Sequence, residues 1–170
     1  TYTITDGDGD TDTATLTIGV TDGSPTAPTA DVTVNEAALD LVQDGADLTA
    51  GTVEGSDPTS TAETISGTLA ATDPNGDALT YTAGTFTGSY GTLTIDTAGN
   101  YTYTLTAPVD GPTADNSTNT IDNAESFGYT VTDANGNSST GTLTVDIIDD
   151  VPSAVADTGS VQSGGTLTVT

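Results

Sequence analysis

The 170-residue chain has no Lys, Arg or His to set against its 25 Asp and Glu, and it also lacks Cys, Met and Trp. Each absence closes a class of explanation. Without side-chain cations no carboxylate can form an ion pair, so clustered acids are expected to face water or a metal ion. Without His, Cys or Lys there is no Ser-His-Asp triad, thiol nucleophile or Schiff base, and paired carboxylates are the remaining hydrolytic option. Twenty-five acids bring such pairs together by chance, and no enzyme is expected. Lys and Arg are what neutralise phosphates, so nucleic acid and anionic membrane surfaces are set aside as partners. No apolar run is long enough to span a membrane, so direct insertion is not expected either. Lack of Cys removes disulfides as staples, and a bound metal is the usual substitute in a domain poor in large apolar side chains.

Leu, Ile, Val and Phe supply 31 residues, under the roughly 20% at which a highly charged chain tends to stay disordered. Patterning argues the other way. TYTIT at 1–5, TATLTIGV at 13–20, LTYTA at 79–83 and YTYTL at 101–105 alternate apolar and polar side chains with period two, as half-buried strands do. Thr, Val and Tyr favour strands, and no stretch has helical periodicity over a full helix length. The alternation predicts strands over 30–35, 64–72, 78–83, 91–96, 101–106, 127–132 and 140–148. Seven short strands separated by turn signals predict an all-β fold, an Ig-like antiparallel β-sandwich with Greek-key connections. Residues 36–63 and 107–125 are long and polar, and read as loops or edge additions.

The chain also repeats itself. Residues 1–27 overlie 128–154 without a gap, so that Tyr2 falls on Tyr129, Asp6 on Asp133, Gly9 on Gly136, Leu16 on Leu143, Asp22 on Asp149 and Pro25 on Pro152. Self-similarity at domain-sized spacing marks modules in a tandem array, with boundaries in short Pro-containing linkers. Residues 1–23 then close a preceding repeat, 24–151 form one complete module, and 152–170 open a following repeat. With no initiating Met or signal peptide, the chain reads as a piece of a longer protein.

The acids concentrate in a motif, D-x-[DN]-G-[DN], found at Asp6-Gly7-Asp8-Gly9-Asp10, Asp73-Pro74-Asn75-Gly76-Asp77 and Asp133-Ala134-Asn135-Gly136-Asn137. Alternate residues of a tight loop aim oxygens at one centre, and Gly tolerates the backbone angles needed to wrap them around calcium. It is not an EF-hand loop: counting from Asp6, the sixth and twelfth positions hold Thr11 and Thr17 rather than Gly and Glu. The same residues make hairpin turns with no metal at all. Metal is favoured most at Asp6, Asp8, Asp10 and Asp12, where four carboxylates would otherwise repel. Asp96-Thr97-Ala98-Gly99-Asn100 keeps the turn without the middle ligand and reads as a plain hairpin. A second constellation, Asp146, Asp149 and Asp150, lies where the last strand enters a linker, with Glu36 as a candidate partner. It reads either as calcium ligands between modules or as a solvated charge cluster. At the preceding linker Gly19 and Gly23 replace Asp146 and Asp150, leaving Asp22.

GTLAATDPNGDALTYT at 67–82, GSYGTLTIDTAGNYTYTL at 88–105 and FGYTVTDANGNSSTGTLTVDIIDDVP at 127–152 resemble the tandem Ig-like repeats of giant bacterial adhesins exported by type I secretion. YGTLTID and YTYTL are similar to VCBS-type repeats. The resemblance implies a β-sandwich extender module on the surface of a Gram-negative bacterium, serving adhesion and biofilm formation, with calcium rigidifying the rod. The implied turn and linker ligands are Asp73, Asn75, Asp77, Asp133, Asp149 and Asp150, to which the motifs add Asp6, Asp8, Asp10, Asp12, Asp22, Glu36, Asn135 and Asp146. Expected partners are neighbouring repeats and calcium ions, each module being monomeric. Another possibility makes the module itself a binder of carbohydrate or ice through threonine rows such as Thr13, Thr15 and Thr17.

Overall fold

Thr alternating with Val, Leu, Ile and Tyr gives each strand one apolar edge to bury and one hydroxyl edge to leave in water. In the computed structural model, which describes residues 1–42, 48–111 and 118–151, ten strands form this way. They are β1 (Tyr2–Thr5), β2 (Thr11–Ala14), β3 (Thr29–Asn35), β4 (Thr64–Thr68), β5 (Thr80–Tyr81), β6 (Gly84–Thr87), β7 (Gly91–Ile95), β8 (Asn100–Leu105), β9 (Thr120–Thr132) and β10 (Ser138–Ile148). A 3-10 turn, Glu36–Ala38, follows β3 and is capped by the Asn35 side chain, which accepts from the Ala37 amide at 2.9 Å. The expected following repeat, 152–170, lies outside the described residues.

Two four-stranded sheets, β3-β10-β9-β5 and β4-β8-β7-β6, face one another, and β1 and β2 form a separate hairpin. This is the expected Ig-like β-sandwich, with one pair that is not antiparallel: β3 runs parallel to β10, from Thr29 opposite Thr142 to Asn35 opposite Ile148. The core between the sheets joins Leu93, Tyr103 and Leu105 to Val131, Leu143, Val145 and Ile147, all wholly buried. Tyr103 packs on Phe127 and Tyr81 on Tyr129, with ring centroids 5.9 and 6.0 Å apart. Each buried tyrosine hydroxyl has a partner: Tyr81 donates to the Leu69 carbonyl, Tyr129 to that of Pro28, and Tyr103 to Glu125. Tyrosine therefore supplies bulk that the few large aliphatics cannot, while keeping its polar tip satisfied.

Differences from the sequence expectation are local. β4 stops at Thr68 rather than reaching residue 72, because Thr72 instead bridges to Thr26. The strand expected over 78–83 shrinks to Thr80–Tyr81, and β6 was not expected at all. β9 begins seven residues before Phe127, along a polar run whose register with β10 shifts between Val145 and Ile147. At that irregularity Asn123 takes a positive φ of 51°.

Acids are also buried outside the carboxylate clusters, at Asp40, Glu63 and Glu125. Glu125 reveals another solution: its Oε2 accepts from the Tyr103 hydroxyl and its Oε1 from the Tyr90 amide at 2.8 Å. Neutral donors can stabilise a buried carboxylate when no cation exists. Gly88 sits against this carboxylate so closely that any Cβ would collide with Oε1.

Candidate metal centre

All four D-x-x-G-[DN] loops adopt one geometry. In each, the first Asp carboxylate accepts backbone amides within the loop and Gly at the fourth position takes a positive φ between 81 and 102°. The turn is thus specified by Asp and Gly alone, and Asp96 forms it as well as Asp133. What differs is what the loops meet.

The 73–77 and 133–137 loops lie side by side, and the linker before β3 runs across them. Carboxylate oxygens of Asp22, Asp77 and Asp133 come within 4.8 Å of one another. Asn137 Nδ2 donates to Asp22 Oδ2 at 2.6 Å and to Asp133 Oδ2 at 3.0 Å, while Asn135 Nδ2 donates to Asp77 Oδ2 at 2.9 Å. Asn75 Oδ1 accepts the Gly23 amide at 2.8 Å, pinning the linker to the loop. Asp73 Oδ1 accepts the Asn75 and Asp77 amides at 2.8 and 3.1 Å, but its Oδ2 is buried without a hydrogen-bond partner. Burial, then the carboxylates of Asp22, Asp73 and Asp133, push the Asp77 carboxyl above its usual value. Burial would raise Asp133 too, but the Asn137 side chain and the loop amides outweigh it and hold that carboxyl below its usual value.

Asp6, Asp8 and Asp10 form a second carboxylate group within the same 4.8 Å limit, fully exposed. The Asp8 side chain, helped by the loop amides, holds the Asp6 carboxyl down. Asp12 is not in that group; its Oδ1 accepts the Thr13 amide at 2.8 Å.

Glu36, Asp149 and Asp150 sit at the far end of β10, roughly 35 Å from the Asp133 loop at the strand rise per residue. Glu36 Oε2 accepts the Val109 amide at 2.9 Å, and Asp150 caps Ser56 through its amide and hydroxyl at 2.8 and 2.6 Å. Asp149 lies against Gly111. Burial first, and then Asp149, Asp150 and Asp110, push the Glu36 carboxyl up to about 7 against the pull of the Val109 amide. Asp146 is placed elsewhere: its Oδ1 accepts the Asn123 amide at 2.7 Å, at the shift in register. Sequence reasoning missed Asn137, although the internal repeat sets it on Asp10, a predicted ligand.

A β-sandwich of this topology with acidic loops at one end is an Ig-like β-sandwich domain. The profile of the bacterial cadherin-like domain matches residues 23–148, and the chain belongs to that family. No curated protein matches it. Domains of this class are typically non-catalytic, and among the described residues no helix is long and apolar enough to cross a membrane.

Proposed function

We propose that the chain is a calcium-binding spacer segment of a bacterial surface adhesin, secreted by a type I route and projecting a distal binding domain for adhesion and biofilm formation. The observation that carries this is the meeting of Asp22, from the linker, with Asp77 and Asp133, from two loops of the module. A hard divalent cation with oxygen ligands fits this donor set, and Asp73, at the start of the Asp77 loop, carries a buried Oδ2 with no hydrogen-bond partner. Calcium, when bound, would bring the positive charge that the sequence omits. Asp22 then ties the linker to the module, the Asn side chains orient the carboxylates, and the Asp133 turn holds the loop in register. Glu36, Asp149 and Asp150 at the other end are the matching candidates for the next junction.

Extracellular calcium modules bind at roughly 0.1–1 mM. At about a hundred times its dissociation constant a ligand adds about 2.7 kcal/mol to stability, or about 5–15 °C in melting temperature for a domain of this size. Calorimetric melts in calcium and in chelator are expected to differ by that amount. Superimposable melts would defeat the metal assignment.

One observation favours the second reading, in which the module itself binds carbohydrate or ice. Thr13, Thr15 and Thr17 are simply exposed on and after β2. Across β4-β8-β7-β6, however, Thr64, Thr104, Thr92 and Thr87 form one row, and Ser66, Thr102, Thr94 and Thr85 the next. Sheet geometry spaces these at about 4.8 Å along a row and roughly 6.8 Å between rows, and no acid interrupts either row. The expected result on this reading is ice-crystal shaping or glycan capture by the isolated chain that Thr102→Lys removes; inertness in both assays discards it.

A further inference from the structure

Neutral side-chain amides join the linker to the module. Asn137 Nδ2 donates to Asp22 Oδ2 at 2.6 Å and to Asp133 Oδ2 at 3.0 Å, and Asn135 Nδ2 donates to Asp77 Oδ2 at 2.9 Å. Two amide groups thus serve all three carboxylates of the cluster. The opposite orientation of Asn137 would press its Oδ1 against two anionic oxygens at those distances, so it is the donor that faces them.

Other protein atoms seat the linker beside this bridge. Gly23 donates its amide to Asn75 Oδ1 at 2.8 Å, and a Cβ on it would come within 2.6 Å of the Pro74 ring. Thr26 and Thr72 each donate an amide to the other's carbonyl, at 2.7 and 3.0 Å.

The turn itself does not require these asparagines. The internal repeat sets Asp8 on Asn135 and Asp10 on Asn137, so the 6–10 loop carries carboxylates in place of both amides. Its geometry is the same: Asp6 and Asp133 each donate an amide to the carbonyl of the fifth loop residue, at 3.0 and 2.9 Å, and Gly9 and Gly136 have φ of 102 and 96°. Asn100 also donates to the head of its own loop, Asp96, at 2.8 Å. What sets Asn137 apart is its second acceptor, Asp22, which comes from the linker.

We propose that Asn137 is a latch that regulates the site: its amide hydrogens bind Asp22 to Asp133 and hold the linker on the module in calcium-free solution, and they sit on the same two oxygens, Asp22 Oδ2 and Asp133 Oδ2, that a cation would take. A cation there repels amide hydrogens, and half a turn about χ2 offers Oδ1 in their place, an uncharged ligand suited to a hard ion. Asn137 therefore keeps the linker seated with or without the ion and sets the calcium concentration at which one holder replaces the other. The exchange rests on the calcium reading above, whereas the latch does not.

The test is amide exchange measured by NMR on the isotope-labelled full chain. In chelator the Gly23 amide is expected to exchange at least about tenfold slower than an open chain. Asn137→Asp keeps the side chain's shape but cannot donate at neutral pH, and Asp22→Ala removes the acceptor from a segment outside both sheets. Each is expected to remove most of the Gly23 protection. The Asn135 amide, bound to Asp133 Oδ1 at 2.9 Å, should stay protected in both variants, which shows the turn intact. Adding calcium is expected to restore Gly23 protection in Asn137→Asp and to shift the side-chain NH2 signals of Asn137 in the parent. A Gly23 amide at the open-chain rate in the chelated parent, or one that neither substitution accelerates, would overturn the latch. Asn137 side-chain signals that stay fixed while calcium moves other signals of the 73–77 and 133–137 loops would overturn the exchange. If calcium moves no signal at all, the metal reading falls, and the chelator measurements alone decide the latch.

Discussion

Asp133→Ala is expected to abolish the rise in melting temperature on adding calcium, whereas Asp96→Ala should lower stability in both conditions and leave the calcium response intact. The two aspartates cap the same kind of loop, each accepting two amides on one carboxylate oxygen, so the turn contributes similarly in both. A lost cap of this kind costs about 0.5–2 kcal/mol. Only Asp133 also stands with Asp22 and Asp77, and only there would removal forfeit the further stabilisation of about 2.7 kcal/mol that saturating calcium adds. Both loops also have the fifth residue's side-chain amide on the second oxygen, Asn100 on Asp96 at 2.8 Å and Asn137 on Asp133 at 3.0 Å, so the neighbouring carboxylates alone separate them. Titration calorimetry on both variants separates the outcomes: equal retention of calcium binding would move the metal away from the 133–137 loop.

The second large effect is expected in chelator, through pH. Burial among acids holds the Glu36 carboxyl at about 7, above its ordinary 4.5, so the folded chain binds a proton that the unfolded chain releases. That stabilisation is full below about pH 4.5 and is lost as pH rises through about 7. Asp77, also raised, works in the same direction. The chelated protein should therefore melt at a lower temperature at pH 8 than at pH 5. Glu36→Gln, which keeps the shape and removes the charge, should flatten this dependence and raise the pH 8 melt by about 3–5 °C, solvent screening at this partly buried group keeping it no larger. A Glu36→Gln variant with the parent's pH profile would show that the penalty lies elsewhere.

Strands with regular alternation were legible in the sequence because their chemistry is local. Gly91–Ile95 and Ser138–Ile148 put a Leu, Val or Ile at nearly every inward position. β6 offers only Phe86, and the first half of β9 reads as polar loop because its inward residue near Tyr103 is Glu125, an acid satisfied by partners distant in sequence. The turn motifs were legible for the same local reason. That Asp22 crosses to meet Asp77 and Asp133 was not, since a tertiary contact brings those positions together. Asp149 and Asp150 were read as linker acids, yet Asp146 of the same cluster went to the bulge, where the Asn123 amide claims it.

The parallel pairing of β3 with β10 has a mechanical consequence. One linker enters at the start of β3 and the other leaves at the end of β10, and the two strands lie side by side from Thr29–Thr142 to Asn35–Ile148. Tension applied through the linkers drags these strands past one another along their common axis. Their hydrogen bonds then bear load together in shear instead of unzipping in turn, and the domain resists stretching along that axis.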